Sequence, residues 1–225
     1  MNHYVKLVKV WRDRYRELGA KDYIDYVFIF ENKGEEVGVT LHHPHGQIYA
    51  YPFIPPIIEQ ELNSSKEYLE KEGKCLFCKT LKEEKEDGRR IIISNDSFTA
   101  LVPFSACYSY EVHIYANKHV PSLNDFSEIE EINLAAILKT ILMKFDHLFG
   151  FTLPYIMAIH QQPTNGAGKE CSHFHIEFYP PYRTKDKLKY LAGSEIGMGV
   201  FINNSLPEEK AQELRSTPPD GVVCC

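Results

Sequence analysis

The chain has 225 residues, enough for one large domain or two small ones, and 44% of them are hydrophobic, which allows a sizeable buried core. Its 25 lysine and arginine residues are outnumbered by 31 aspartate and glutamate residues, so the net charge is −6. This balance argues against nucleic acid as a partner, because surfaces that bind nucleic acid are normally basic.

No targeting or membrane-spanning segment is evident in the sequence. The N-terminal stretch is charged throughout, and the most apolar stretch, INLAAILKTILMKF, is too short to cross a bilayer and contains Lys139 and Lys144. We therefore expect no membrane association and a cytoplasmic location. In such a reducing compartment, the six cysteines are more typical of metal ligands or free thiols than of disulfides.

The first elements are a helix and two strands. Apolar residues at helical spacing predict an N-terminal helix that ends near Gly19. These residues are Tyr4, Leu7, Val8, Trp11, Tyr15 and Leu18. The run YVFIF then predicts a strand, ENKGEEVG a polar loop, and HPHGQIYAY a second strand that carries His43, His45 and Gln47.

The same series of elements recurs about 130 positions later. A helix predicted over residues 127–149 precedes the strand-like run YIMAI, a loop with glycines and the segment HFHIE. His43, His45 and Gln47 correspond in this spacing to His173, His175 and Glu177, respectively. We interpret this as one supersecondary unit present twice, since a chance match of two amphipathic helices would not extend to the histidines.

Between the two copies, the sequence predicts a helix over residues 57–72, a three-strand meander and a Cys75-x-x-Cys78 motif. The motif alone is compatible with zinc binding, with redox chemistry or with two small buried side chains. A structural zinc site needs two more ligands that converge in space. His119 and His173 are candidates, and we interpret the four residues as a Cys₂His₂ zinc site.

The paired histidines suggest phosphoryl transfer. Alternate residues of a strand share one face, so His43, His45 and Gln47 would point the same way. One imidazole can attack phosphorus while its neighbours donate hydrogen bonds to the phosphoryl oxygens. A surface histidine cluster is the alternative, which the occurrence of the pattern in two places disfavours.

The segments FENKGEEVGVTLHHPHGQIYAYPFIPP, CLFC, NKHV and HFHIEFYPP resemble the galactose-1-phosphate uridylyltransferase family of the histidine-triad superfamily. The resemblance implies an α+β fold in which helices pack on a histidine-triad-like antiparallel sheet. It implies a partial first repeat over residues 1–56, which would lack its N-terminal part. A complete second repeat with a C-terminal extension would follow over residues 57–225.

The resemblance also implies an activity and an assembly. It implies a homodimer that transfers UMP from UDP-glucose to galactose 1-phosphate in galactose metabolism, with His45 as the uridylylated nucleophile and Gln47 as a donor to phosphoryl oxygens. Substrate contacts would come from two further groups of residues. They are Asn32, Gly38 and Thr40 for the nucleotide phosphates, and Lys189, Tyr190 and Glu195, which would reach the hexose from the partner subunit.

For metals, the resemblance implies that His43 is a zinc ligand of the first repeat. It also implies a possible second metal, such as iron, held by Glu61, His160 and His175, with Glu177 where other members have a third histidine. Two further readings stay open at this point. The chain is compatible with a related nucleotidyltransferase that uses another nucleotide or sugar phosphate, and with a truncated, non-catalytic nucleotide-binding remnant.

Overall fold

A computed structural model describes residues 2–39 and 45–219 of the chain, and its largest feature is a seven-stranded sheet. The strands are β1 (Tyr26–Lys33), β2 (His45–Tyr51), β3 (Ile91–Ser94), β4 (Phe98–Leu101), β5 (Val112–Ala116), β6 (Tyr155–His160) and β7 (His175–Tyr179), and a separate small ribbon contains β8 (Tyr182–Thr184) and β9 (Lys187–Leu188). The helices are α1 (Asn2–Gly19), α2 (Pro56–Glu72), α3 (Leu76–Asp87), α4 (Glu128–Leu148), α5 (Gly193–Met198) and α6 (Pro207–Ser216). Within the described residues, no helix combines the length and hydropathy that a membrane span requires.

The strand order is β2-β1-β6-β7-β5-β4-β3, and all neighbouring strands are antiparallel. The hairpin β1–β2 therefore continues the sheet of the second unit, because β1 pairs with β6. The α+β class with a large antiparallel sheet, which the sequence predicted, is confirmed.

Helices cover one face of the sheet. Val27 and Ile29 of β1 lie in the same buried core as Trp11 of α1 and Leu134 and Phe145 of α4. α1 packs directly on α4, so the two predicted amphipathic helices bury their apolar stripes together against the sheet. α4 begins at a capping box in which the Ser127 hydroxyl accepts from the Glu130 N–H and the Glu130 carboxylate accepts from the Ser127 N–H.

The register of the sheet refines the predicted repeat. His45 pairs with Asn32, whereas its counterpart His175 pairs with His160. The histidine strands are thus related by 130 positions, but the preceding strands are related by 128. The uniform offset of 130 inferred from the sequence was wrong for β1 and β6, because 13 positions separate the paired residues Asn32 and His45, whereas 15 separate His160 and His175.

Three helices were absent from the sequence prediction. α3 begins directly after Cys75 and ends at Gly88, whose φ of 72° places it in the left-handed region that glycine favours. α3 is largely polar and buries only Leu81 and Glu84 among its residues, so its apolar spacing is a weak helical signal. α5 and α6 lie in the C-terminal extension, where only α6 places buried residues, Ala211 and Leu214, in the core.

Candidate active site and metal centres

The face of the sheet opposite α1 and α4 carries most of the candidate residues. Directly paired residues of neighbouring strands share a face. His45 pairs with Asn32, and Asn32 pairs with Ile156. Ile156 and His160 are four residues apart on β6 and so share a face, and His160 pairs with His175 of β7. β2 and β7 are three strand spacings apart, which corresponds to about 14 Å. The two histidine strands therefore project His45 and His175 to the same side at separate places.

His45 lies on β2, which is an edge strand among the described residues. Its side chain is exposed, and Gln47, two residues further along the same face, is half-buried. The Gln47 side-chain oxygen accepts a hydrogen bond from the Tyr49 hydroxyl at 3.2 Å. The arrangement leaves the Gln47 amide N–H groups as donors toward a ligand beside His45.

Of the three residues predicted to contact the nucleotide phosphates, the structure describes Asn32 and Gly38. Asn32 is the direct cross-strand neighbour of His45 and is half-buried. Gly38 ends a short 3₁₀ turn with a φ of 84° and is exposed. Thr40 and His43, predicted as a substrate contact and as a zinc ligand, lie outside the described residues.

Aromatic side chains surround the space between His45 and the second histidine strand. Phe28 stacks on Phe30 with ring centroids 4.9 Å apart, and Phe30 meets the edge of Tyr49 at the same centroid distance. A cavity of about 540 Å³ opens beside them. Its aromatic lining comes from both units and consists of Tyr26, Phe28, Tyr51, Tyr108, Tyr179 and Phe201. Such a cavity suits an aromatic or sugar-containing ligand, and the sequence analysis did not single out these residues.

The four predicted zinc ligands of the second unit converge. Cys75 and Cys78 flank the first turn of α3, one helical turn apart, so their sulfurs face the same side. The Nδ1 atom of His173 lies 3.7 Å from the Cys75 sulfur and 3.5 Å from the Cys78 sulfur, and the Nδ1 atom of His119 lies 4.0 Å from the Cys78 sulfur. Ordinary zinc–sulfur and zinc–nitrogen bonds at a tetrahedral angle place these atoms about 3.6 Å apart.

The protonation of this group also fits a metal. The Nε2 atom of His173 is 2.9 Å from the Ala116 carbonyl, a contact that requires the proton on Nε2 and leaves Nδ1 free to coordinate. The hydrogen bond between the two thiols, together with His173, lowers the pKa of the Cys75 thiol to about 3, and the same bond raises the pKa of the Cys78 thiol well above its usual range. A thiolate and a neutral imidazole are the forms that zinc binds. The four residues therefore fit a closed, structural zinc site.

A second group lies beside the first on the same face. The carboxylates of Glu61 and Glu177 and the imidazoles of His160 and His175 offer four ligand atoms within 4.8 Å of one another. The Nδ1 atom of His175 is 2.8 Å from the His173 carbonyl, so its Nε2 atom faces the group without a proton. That Nε2 atom is buried and has no hydrogen-bond partner. An unpartnered imidazole nitrogen among carboxylates is well suited to a cation.

Glu177 completes this group at the position where, by the family resemblance, other members have a third histidine. It lies 3.5 Å from the Nε2 atoms of both His160 and His175. Burial disfavours ionisation of Glu177, but His113 and His160 outweigh it and hold the pKa of the carboxyl well below its usual range. Burial likewise opposes charging of His160, but Glu177 and Glu61 raise its pKa to about 9. Without an ion, a proton on His160 partly balances the two carboxylates.

Residues of β5 support this group and were missed by the sequence analysis. His113 is the cross-strand partner of Glu177, and their Nε2 and Oε1 atoms are 3.3 Å apart. Glu111 and the Tyr115 hydroxyl contact the two nitrogens of the His113 ring, each at 2.9 Å. The alternation of Glu111, His113 and Tyr115 in YEVHIYA puts three polar groups on one strand face, a signal that the sequence does contain.

Comparisons with known proteins agree with this geometry. The sequence model described as "Galactose-1-phosphate uridyl transferase, N-terminal domain" matches residues 1–55, and the one described as its C-terminal domain matches residues 61–220. The chain belongs to this family. The family resemblance that the sequence motifs indicated is thereby confirmed.

Two curated relatives are galactose-1-phosphate uridylyltransferases. The one from Thermotoga maritima is 46% identical over 213 residues, which cover 94% of this chain and 66% of the relative. The one from Haemophilus influenzae is 36% identical over 212 residues, which cover 94% of this chain and 60% of the relative. The chain thus spans less than two thirds of the length of these relatives.

Solved structures share the fold of this family member. A structure titled "Structure of uridylyltransferase" is 35% identical with a TM-score of 0.90, and the match covers 96% of this chain and 68% of that chain. An ADP-glucose phosphorylase from Arabidopsis thaliana, solved with bound ADP-glucose, is 26% identical with a TM-score of 0.82, covering 94% of this chain and 66% of that chain.

The predicted hexose contacts of the family lie in the C-terminal extension. Lys189 and Glu195 form an ion pair with 3.3 Å between Nζ and Oε1. Backbone N–H groups, including those of Ala192 and Ile202, lower the pKa of Glu195 to about 2. Tyr190 is 79% exposed. The structure brings the lysine and the carboxylate together, while the tyrosine projects away from its own chain.

Proposed function

We propose that the protein transfers UMP from UDP-glucose to galactose 1-phosphate through a covalent uridylyl intermediate on His45, in the galactose metabolism of the cytoplasm. Family membership gives the reaction class. The single observation that carries the site assignment is the position of His45. It is an exposed imidazole on a strand at the edge of the described sheet, and its same-face neighbours, Gln47 and Asn32, are neutral hydrogen-bonding amides.

In the first half-reaction, a nitrogen of the His45 imidazole attacks the α-phosphorus of UDP-glucose. A nitrogen–phosphorus bond forms as the phosphorus–oxygen bond to glucose 1-phosphate breaks, and glucose 1-phosphate leaves with the electron pair. The Gln47 and Asn32 amides would donate to the non-bridging oxygens as negative charge builds on them. A neutral amide suits this task, because a carboxylate at the same place would repel the phosphates.

In the second half-reaction, a phosphate oxygen of galactose 1-phosphate attacks the same phosphorus. An oxygen–phosphorus bond forms, the nitrogen–phosphorus bond breaks, and the electron pair returns to His45. UDP-galactose is released and the imidazole is restored. The covalent intermediate divides one displacement into two, each with His45 as nucleophile or leaving group.

The metal groups would support this site from a distance. We propose zinc for Cys75, Cys78, His119 and His173, with His43 as a zinc ligand of the first unit, and iron or a similar ion for the Glu61 group. The first ion would fix the start of α3 to the end of β5 and the start of β7. Neither described group lies on β2, so the chemistry at phosphorus is assigned to the side chains beside His45.

The C-terminal extension would complete the site in a homodimer. Tyr190 is exposed, and Lys189 and Glu195 are held as a pair beside it. We propose that this segment contacts the hexose bound to the partner subunit, with the ammonium group near phosphate and the carboxylate near sugar hydroxyls.

The test is the intact mass of the zinc-loaded protein after incubation with UDP-glucose in the absence of galactose 1-phosphate. We expect an added UMP on the wild type and on His147→Ala, which changes an exposed histidine of α4, and none on His45→Ala. Adding galactose 1-phosphate should remove the adduct. A folded wild type without the adduct, or an adduct that persists in His45→Ala, contradicts the proposal.

A second candidate is transfer of AMP from ADP-glucose. The observation that favours it is the similarity to an ADP-glucose phosphorylase solved with bound ADP-glucose. Nothing in the reactivity of His45 toward phosphorus distinguishes the two bases. The same mass experiment decides, since ADP-glucose would leave an AMP-sized adduct and UDP-glucose a UMP-sized one.

A further inference from the structure

A small cavity lies between α2 and the sheet, beside the second metal group. It measures about 20 Å³, which is enough for one water molecule. Glu61, His160 and His175 line it, and these are three of the four residues of the second metal group. The cavity therefore adjoins the place where the second ion would bind.

Unpaired polar atoms gather around this cavity. Six buried side-chain nitrogen or oxygen atoms of the described residues have no hydrogen-bond partner, and four of them belong to residues that line it. These are Ser65 Oγ, Gln161 Nε2, Ser172 Oγ and His175 Nε2. A buried polar atom without a partner costs about 1–3 kcal/mol. Four such atoms around one cavity favour the binding of a small ligand that both donates and accepts.

The internal repeat gives the cavity a counterpart. At an offset of 130 positions, His175 corresponds to His45. The cavity thus occupies, in the second unit, the place beside the histidine where the first unit would receive a phosphoryl group. Room for one water-sized ligand excludes a phosphoryl group with its several oxygens.

We propose that this cavity binds one water-sized ligand, water in the resting protein, held by Ser65, Gln161 and Ser172 against the ion of the second metal group. The ion would then have one ligand that the protein does not supply, and that position would accept other diatomic or triatomic ligands but not phosphates. This goes beyond uridylyl transfer, because it concerns a site separate from His45 and on a different strand.

The hydrogen-bonding character of the three residues supports this reading. The Gln161 side-chain oxygen is already engaged by the Leu123 N–H at 3.3 Å, so its free amide N–H can only donate. The Ser65 and Ser172 hydroxyls can donate or accept. A water molecule can accept from the Gln161 amide and can both donate to and accept from the two serine hydroxyls. A chloride ion can only accept hydrogen bonds, and it would be repelled by the nearby Glu61 carboxylate.

Nitric oxide bound to ferrous ion provides the test. The thiolate site is first filled with zinc, which its sulfur ligands favour, and Fe²⁺ is then added anaerobically. With nitric oxide, we expect an S = 3/2 electron paramagnetic resonance signal from the Fe²⁺ ion at the second group. Added phosphate should not change this signal. Iron misplaced on cysteines would instead give an S = 1/2 dinitrosyl signal.

Two variants of Ser65 and one control locate the ligand. Ser65→Val fills the cavity and should abolish the S = 3/2 signal while Fe²⁺ is retained. Ser65→Ala, which is less disruptive, should weaken nitric oxide binding by up to about tenfold, the effect of one hydrogen bond. Ser64→Val, on an exposed position of the same helix, should match the wild type.

Three results overturn the proposal. They are failure of the wild type to retain Fe²⁺ at the second group, retention without the S = 3/2 signal, and an equal signal in wild type, Ser65→Val and Ser65→Ala. The uridylyl adduct on His45 is measured separately by mass, so failure of this proposal and failure of the proposed function are distinguishable.

Discussion

β2 and β7 carry the same spacing of functional side chains in opposite settings. On β2, His45 is exposed and Gln47 half-buried at the edge of the described sheet. On β7, His175 is 2% and Glu177 8% exposed, with β6 on one side and β5 on the other. The same strand pattern thus leaves an imidazole exposed to solvent in one place and encloses a group of polar side chains in the other.

Charge separates the two places as much as burial does. Around His175, the carboxylates of Glu61, Glu111 and Glu177 lie within one polar network. Such a network repels phosphate and attracts a cation. Beside His45, the described same-face neighbours are amides. Under the proposed function, one position, Gln47 against Glu177, would distinguish a site for an anion from a site for a metal ion.

The largest expected effect is loss of the zinc site at the start of β7. Removing zinc with a chelator, or changing Cys78 to Ser, should cost on the order of 4 kcal/mol of unfolding free energy. That corresponds to a fall in Tm of roughly 8–16 °C, measured by calorimetry. Cys107→Ser, at a thiol outside both metal groups, is the matched control. An unchanged Tm after complete zinc removal would show that the thiolate group does not stabilise the fold.

The next largest effect is expected from substitutions at Gln47 and Glu177, the corresponding positions of the two strands. Gln47→Glu should slow formation of the His45 adduct by about 10²–10³-fold, because it removes a donor to phosphoryl oxygens and adds a repelling charge. Glu177→Gln should leave that rate unchanged and remove one equivalent of bound metal. Quenched-flow mass spectrometry and metal analysis measure the two effects. Equal rates of adduct formation in the wild type and Gln47→Glu would contradict the inference that a neutral amide at position 47 is needed beside the phosphates.

Burial predicts a third difference, at corresponding positions of the two strands. Ile176 is completely buried in the core, so Ile176→Ala should cost about 2–4 kcal/mol, measured by denaturant unfolding. At Gly46, 130 positions earlier, the one described atom within 4 Å of an added Cβ is a Glu31 carboxylate oxygen at 3.9 Å. Gly46→Ala should change stability by less than about 0.5 kcal/mol. Comparable losses at both positions would mean that β2 is packed as β7 is.

Much of this contrast could be read from the sequence. The helical spacing of Trp11 and Leu134, the CxxC motif and the two histidine pairs predicted the core helices, the thiolate group and the repeated unit. These signals are local, and they are strong because each depends on spacing along one element. The pairing of β1 with β6, which joins the two units in one sheet, also follows the expected antiparallel class.

The supporting residues could not be found in that way. His113 lies 64 positions before Glu177 and meets it only because β5 pairs with β7. The alternation in YEVHIYA shows which strand face His113 shares, but not that β5 lies beside β7. The offset of 128 positions between β1 and β6 could not be predicted either, since it depends on which residues pair across the sheet.

The smallest effect tests whether β5 contributes to the second metal group. His113→Leu keeps a buried side chain of similar bulk but removes the imidazole beside Glu177. The carboxylate would lose the partner that orients it and keeps it ionised, and loss of such a contact weakens metal binding by about 10–100-fold. Competition with a chelator of known affinity measures the change at the second group, with zinc at the thiolate group as an internal reference. Tyr115→Phe removes only the hydroxyl that contacts the far nitrogen of His113, so it should weaken binding less. If His113→Leu binds the metal as tightly as the wild type, His113 does not contribute to metal affinity. The difference between β7 and β2 would then rest on burial and on the four ligand residues alone.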